Sequence, residues 1–201
     1  MAAKTKQELK TVFNDASTLY YQKTNIDLST GTISLTPEFD LPVTVDTLKI
    51  SQDAPTINHY KVVGLDSDWT SSATAGDMSV ELTVPTVHEE VVKACFGDSA
   101  YNQITKATVT TGDAEVDNST TGYEGYSWEG KKYKMVGTFV LVNSEKDALF
   151  VVTNLALYAT FLYENTSTEP IAFKLTGSIE GAGKNSFAYL THIAAIHHVT
   201  P

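Results

Sequence analysis

The chain has 201 residues and a formal net charge of −10, from 24 Asp and Glu against 14 basic residues, all of them lysine. An acidic chain without arginine lacks the bidentate forks used on phosphates and guanine edges, which argues against a DNA-sequence reader or a nucleotide enzyme. Hydrophobic residues at 42% and charged residues at 19% describe a folded chain, and the single Cys95 excludes an intrachain disulfide or a multi-cysteine metal site.

From the N-terminus, Thr5 and Glu8 have capping-box spacing, and Leu9, Val12, Phe13 and Ala16 fall at helical intervals, so a short helix is predicted over 5–16. Met1 to Glu8 lacks the apolar core of a signal peptide. Ser17 to Gly31 reads as polar and irregular, with Tyr20 and Tyr21 as anchors. Thr32 to Leu35 is a short β-like run. Val43, Val45, Leu48 and Ile50 then alternate with one change of parity, the pattern of a β-bulge. Ile57 to Leu65 is a candidate strand, and Asp66 to Asp77 a polar loop interrupted only by Trp69.

Met78, Val80, Leu82 and Val84 alternate without fault, as a half-buried strand should. Thr86 and Glu89 repeat the capping-box spacing ahead of an apolar face of Val87, Val91, Val92, Cys95 and Phe96, so a helix ending at Gly97 is predicted. Ile104 to Val109 is a further strand candidate. Residues 110–125 read as an exposed loop or projecting hairpin, and Glu129-Gly130 as a hairpin turn. The last third is the most β-like: 136–142, 148–153, 155–163, then Ile171, Phe173, Leu175 and Ile179, and finally 187–193, with Asn143 to Asp147 as a hairpin loop. No apolar stretch approaches the roughly 18 residues of a membrane span.

The fold class that follows is mainly β: a single β-sandwich or barrel domain with one flanking α-helix, a short N-terminal helix and long assembly loops. Its organisation is an N-terminal helix and arm at 1–31, the β-domain at 32–193 with an exposed insertion at 110–134, and a C-terminal tail at 194–201. The expected core includes Met78, Val80, Leu82, Val84, Val91, Phe139, Leu141, Leu157, Phe173 and Leu175.

No motif for chemistry survives inspection, and the chain is expected to have no catalytic, cofactor-binding or metal-binding residues. His88-Glu89-Glu90-Val91-Val92 begins like a zinc-protease helix, but Val92 stands where the second histidine must be. Gly177 to Ser186 resembles a phosphate loop, yet its glycine spacing is off by one and Asn185 replaces the magnesium-holding hydroxyl. His192, His197 and His198 have chelating spacing without an acidic or sulfur ligand. Asp113, Glu115, Asp117 and Asn118 alternate like calcium ligands, but no pivot glycine or closing glutamate accompanies them. Cys95 lies on the apolar helix face with no basic neighbour in sequence, as a buried thiol would. Trp69, Tyr123, Tyr126, Trp128 and Tyr133 leave open a sugar-binding face.

The order of these segments carries a resemblance. The run from Pro37 to Ile50, the segment through His59-Tyr60-Lys61-Val62-Val63-Gly64 and Asp68-Trp69-Thr70, the helix from Pro85 to Gly97 and the strands from Gly137 to Gly181 together resemble the major tail tube proteins of tailed bacteriophages, relatives of the type VI secretion tube proteins. The resemblance implies a structural virion subunit, not an enzyme, that stacks as hexameric rings into a hollow conduit for genome ejection. It implies partners in further copies of the chain, a tape measure, a tail terminator and a baseplate or tip, with DNA passing unbound through the lumen. The place would be the virion tail, assembled in the bacterial host cytoplasm. A capsid decoration or head-fibre protein, and a carbohydrate-binding β-sandwich, stand as alternatives.

Overall fold

The computed structural model describes residues 12–13, 15–117, 122–164, 170–181 and 185–192. Among them the elements in chain order are β1 (Ala16–Gln22), β2 (Phe39–Asp40), β3 (Lys49–Gln52), β4 (Thr56–Tyr60), β5 (Thr70–Thr74), β6 (Met78–Val84), α1 (Glu89–Phe96), β7 (Tyr101–Ala107), β8 (Tyr123–Trp128), β9 (Met135–Asn143), β10 (Ala148–Leu162), β11 (Ala172–Ile179) and β12 (Phe187–Thr191). Among the described residues the protein is mainly β with a single α-helix. The chain divides into two compact units: the described residues of Met1–Pro42, Val136–Leu155 and Glu180–Pro201, and those of Val43–Met135 and Ala156–Ile179.

The first unit orders its strands β2-β1-β9-β10, with β12 also on β10. Tyr21 of β1 faces both Phe39 of β2 and Phe139 of β9 in antiparallel register. Its ring lies edge-on to Phe139 at 6.1 Å, and its hydroxyl donates to the Val136 carbonyl at 2.7 Å. Burial of an aromatic with its polar end satisfied is what anchors this side of the sheet. Gly137 has φ 146°, and a Cβ there would strike the Gln22 carbonyl, so the approach of β9 to β1 needs glycine. The β9–β10 turn is closed by Asn143, whose Oδ1 accepts from the Asp147 and Ala148 amides, both at 3.1 Å. Inside, the Thr138 and Thr153 hydroxyls lie 2.9 Å apart, and Thr153 Oγ1 also accepts from the Ile26 amide at 2.9 Å.

The second unit orders β10-β11-β6-β3. Phe173 pairs with Val84, Leu175 with Leu82 and Gly177 with Val80. This alternation sends Val80, Leu82, Val84, Phe173, Leu175 and Ile179 inward, all buried, while Lys174 and Glu81 form an ion pair on the outer face. On that face Phe96 of α1 lies edge-on to Phe173 at 5.4 Å, and Val91, Val92, Ala94 and Cys95 of the helix are buried as well. The β7–β8 hairpin brings in Trp128, whose ring lies 5.9 Å from Phe173, 6.2 Å from Phe161 and 6.4 Å from Phe96. All the expected core residues are buried except Met78, which is half-buried at the start of β6.

Several local readings are corrected. The predicted helix over 5–16 falls mostly outside the described residues, and Ala16 opens a strand. β1 occupies the segment read as irregular, because Leu19 and Tyr21 find a core in β9 that a local pattern cannot show. Residues 32–35 form no strand. The parity change near Val45 is a turn with Asp46 at φ 63°, not a bulge. That turn docks on β6: the Thr44 amide donates to the Thr83 carbonyl at 2.9 Å, and the Thr83 amide donates to Thr47 Oγ1 at 3.0 Å. The helix starts at Glu89 with His88 as its cap, not at Thr86; His88 Nδ1 accepts from the Glu90 amide at 3.4 Å. Glu129-Gly130 is not a hairpin turn, since β8 pairs with β7 and residues 129–134 form no strand. The break expected between 153 and 155 is absent: β10 is continuous, and Asn154 passes through it at φ 59°.

Phe173→Ala should lower the unfolding free energy of the chain by about 3–5 kcal/mol, because it empties a site shared by three rings and two strands. Urea unfolding followed by tryptophan fluorescence measures it, and a loss below about 1 kcal/mol would contradict this placement of the core.

Candidate interaction hairpin

Projecting structure, not a pocket, is the most distinctive surface feature of the second unit. β4 and β5 pair from Thr56–Thr74 to Tyr60–Thr70 in unbroken antiparallel register. The loop between them is closed by the Trp69 amide donating to the Tyr60 carbonyl at 2.9 Å. Its tip turns at Val63-Gly64, where Gly64 takes φ 91° and the Leu65 amide donates to the Val62 carbonyl at 3.3 Å. His59 Nδ1 and the Asp68 carboxylate pair across the base of the loop. At the neck the Asp53 amide donates to the Asp77 carbonyl at 2.9 Å, and a side chain at Gly76 would collide with the Asp53 carbonyl.

Every residue from 52 to 75 is exposed. A two-stranded hairpin without a covered face is at best marginally stable alone. This one nevertheless carries Ile57, Tyr60, Val62, Val63, Leu65 and Trp69 in water, with Val63 fully exposed and Trp69 at 68%. Ile57 and Tyr60 alternate to opposite faces of the ribbon and the other four lie on the loop, and exposed apolar side chains in such number are what an interaction site carries. Sequence reasoning found β4 but missed β5. Thr-Ser-Ser-Ala-Thr has no apolar alternation, since neither of its faces meets a core, and its strand character comes only from pairing with β4.

The residues inspected for chemistry are placed elsewhere and are not brought together. His88 caps α1, Glu89 pairs with Lys93, and Val92 is buried. The hydrogen bond from Lys93 holds the Glu89 carboxyl below its usual range. Gly177 lies within β11, where a Cβ would meet the Ala156 carbonyl. Ser186 Oγ accepts from Asn154 Nδ2 at 3.2 Å in the first unit, a structural use. The His192 amide donates to the Asp147 carbonyl at 2.9 Å, and His197 and His198 lie outside the described residues. The Asp117 carboxylate accepts from the Thr111 amide and hydroxyl and from the Gly112 amide, which holds it below the ordinary carboxyl range. Asp113 Oδ1 accepts from the Glu115 amide at 2.9 Å. These oxygens face the loop's own donors; Asn118 lies outside the described residues. Among the described residues no group of three or more His, Cys, Asp or Glu side chains could hold a metal ion.

The aromatic candidates are likewise dispersed. Trp128 and Tyr126 belong to the ring cluster, 6.2 Å apart. The Tyr123 hydroxyl donates to the Val116 carbonyl at 2.7 Å, and the Tyr133 ring lies against Gly97. Trp69 stands out on the hairpin. Cys95 is buried, and desolvation pushes its thiol up to about 12. No helix among the described residues is long and apolar enough to cross a membrane. No protein-family model matches the chain, and no curated protein is similar to it in sequence.

Two outcomes test this description. Val63→Asp and Trp69→Ser should each leave the unfolding free energy of the isolated chain within about 0.5 kcal/mol, since neither residue is buried in it. Ellman's reagent should leave Cys95 unmodified in the folded protein at pH 8 and titrate one thiol in denaturant. Rapid modification of the folded chain would contradict the buried, protonated thiol.

Proposed function

We propose that this chain is a structural assembly subunit of the tail-tube kind, polymerising as stacked hexameric rings into a hollow conduit through which DNA passes. The observation that carries the reading is the β4–β5 hairpin, which holds six large apolar side chains in water. Such a projection is costly in a monomer and useful where a neighbouring copy covers it. Composition adds support. A surplus of acids over lysines, with no arginine, suits a wall that must not retain a polyanion, because retention grows with each phosphate neutralised. The segment order that resembles the major tail tube proteins points the same way.

Negative-stain electron microscopy of the purified chain tests the reading. Rings or tubes of uniform diameter are expected. Discrete trimers would favour a capsid decoration protein, and monomers retained on a glycan resin a carbohydrate-binding module. Trp69→Ser should raise the concentration needed for assembly by about thirtyfold, the effect of losing roughly 2 kcal/mol at a central aromatic contact. Assembled material should show no measurable affinity for duplex DNA at low ionic strength, where attraction would be strongest. Tight, salt-sensitive binding would overturn the conduit.

A further inference from the structure

We propose that the tip of the β4–β5 hairpin inserts into the surface of a lipid bilayer with zwitterionic headgroups. This goes beyond the assembly reading, since it concerns copies whose hairpin no neighbour covers, the free chain first among them. The contact lies on the bilayer and does not cross it.

The shape of the tip is the first reason for choosing lipid. Val62, Val63 and Leu65 surround the turn itself, which the Leu65 amide closes by donating to the Val62 carbonyl, and all three are exposed. Apolar side chains around a convex turn share no single face, so a rigid flat surface covers only some of them. A fluid apolar phase takes all of them out of water at once. The turn is already held by its own backbone bond, so insertion does not have to order it.

The order of side chains along the projection is the second reason. Tyr60 and Trp69 stand where the strand pairing ends, joined by the bond from the Trp69 amide to the Tyr60 carbonyl. Three residues separate Tyr60 from Val63, at most about 10 Å of chain. Aliphatic side chains leading, with Tyr and Trp just behind, is the order found across a membrane interface. The depth also agrees, because elements lying in that interface reach roughly 5–10 Å below the headgroups.

Charge selects the headgroup. Lys61, Asp66 and Asp68 lie between the tip and the rings, with His59 paired to Asp68. Both signs at one depth suit a headgroup that itself carries a phosphate and a quaternary ammonium, and the exposed rings of Tyr60 and Trp69 are further partners for the ammonium. A net charge of −10 opposes approach to an anionic surface.

The test uses the full chain, at a concentration below that at which micrographs show any oligomer, and phosphatidylcholine vesicles as the probe. The chain should float with the vesicles in a density gradient. Brominated phosphatidylcholine should quench its tryptophan emission, and Trp69→Phe should keep the flotation but abolish that quenching, since Trp128 belongs to the ring cluster. Val63→Asp and the uncharged Leu65→Ser should each lower the partition coefficient by about tenfold or more, as loss of an apolar side chain at the inserted tip requires. Adding phosphatidylglycerol to the vesicles should weaken binding at low ionic strength. Absence of flotation, unchanged binding by both tip variants, or binding that requires phosphatidylglycerol would each overturn the insertion. The subunit reading is judged separately by the micrographs at higher concentration: rings without flotation reject the insertion alone, and flotation without rings supports the insertion while rejecting that reading.

Discussion

The fifteen residues of β10 are divided between the two units, Ala148–Leu155 in the first and Ala156–Leu162 in the second. A strand has two edges of backbone donors and acceptors, and burying it obliges every one of them to be paired. In the first unit β10 pairs with β9 and β12; in the second it pairs with β11. From Val151 to Leu157 every side chain of β10 is buried, which explains its near-continuous apolar run. Thr153 and Asn154 are the polar interruption; Asn154 is the one that bends the strand. Its backbone turns through φ 59°, its carbonyl accepts from the Glu180 amide at 2.7 Å, and its side chain donates to Ser186. A residue that looks like a loop between two strands is thus a hydrogen-bonded kink within one.

The second unit shows how an apolar face is organised once such a strand is in place. Phe173 is the shared neighbour of Phe96, Trp128 and Phe161, one each from helix, hairpin and strand. The outer face of the same strands carries Ser79, Glu81, Thr83, Lys174 and Thr176, with the Glu81–Lys174 pair lowering the Glu81 carboxyl from its usual range. That pair is solvent-exposed and adds little stability. The energy lies on the other side of the sheet, where apolar area leaves water.

Against that economy the β4–β5 hairpin is an exception, since it is ordered by backbone pairing and side-chain bonds but buries no residue between 52 and 75. Natural sequences rarely keep Val63 and Trp69 in water without a use for them.

What the residues alone determined is the part governed by period. The alternation of β6 and β11, the apolar face of α1, the Asn143–Asp147 turn and nearly the whole expected core were legible because each is half-buried and repeats at its own spacing. One exclusion was legible too, since a single cysteine cannot form an intrachain disulfide. Tertiary structure alone decided where pairing replaces pattern. β5 has no apolar repeat and exists because β4 lies beside it. β1 hides two core residues in a polar stretch that becomes a strand against β9. His88 caps the helix, and the Thr86 hydroxyl two residues earlier accepts from the His88 amide at 3.2 Å. The exposed hairpin could not be read from residue types, since an apolar side chain in a strand predicts burial, and only the partner strands present show that none is available.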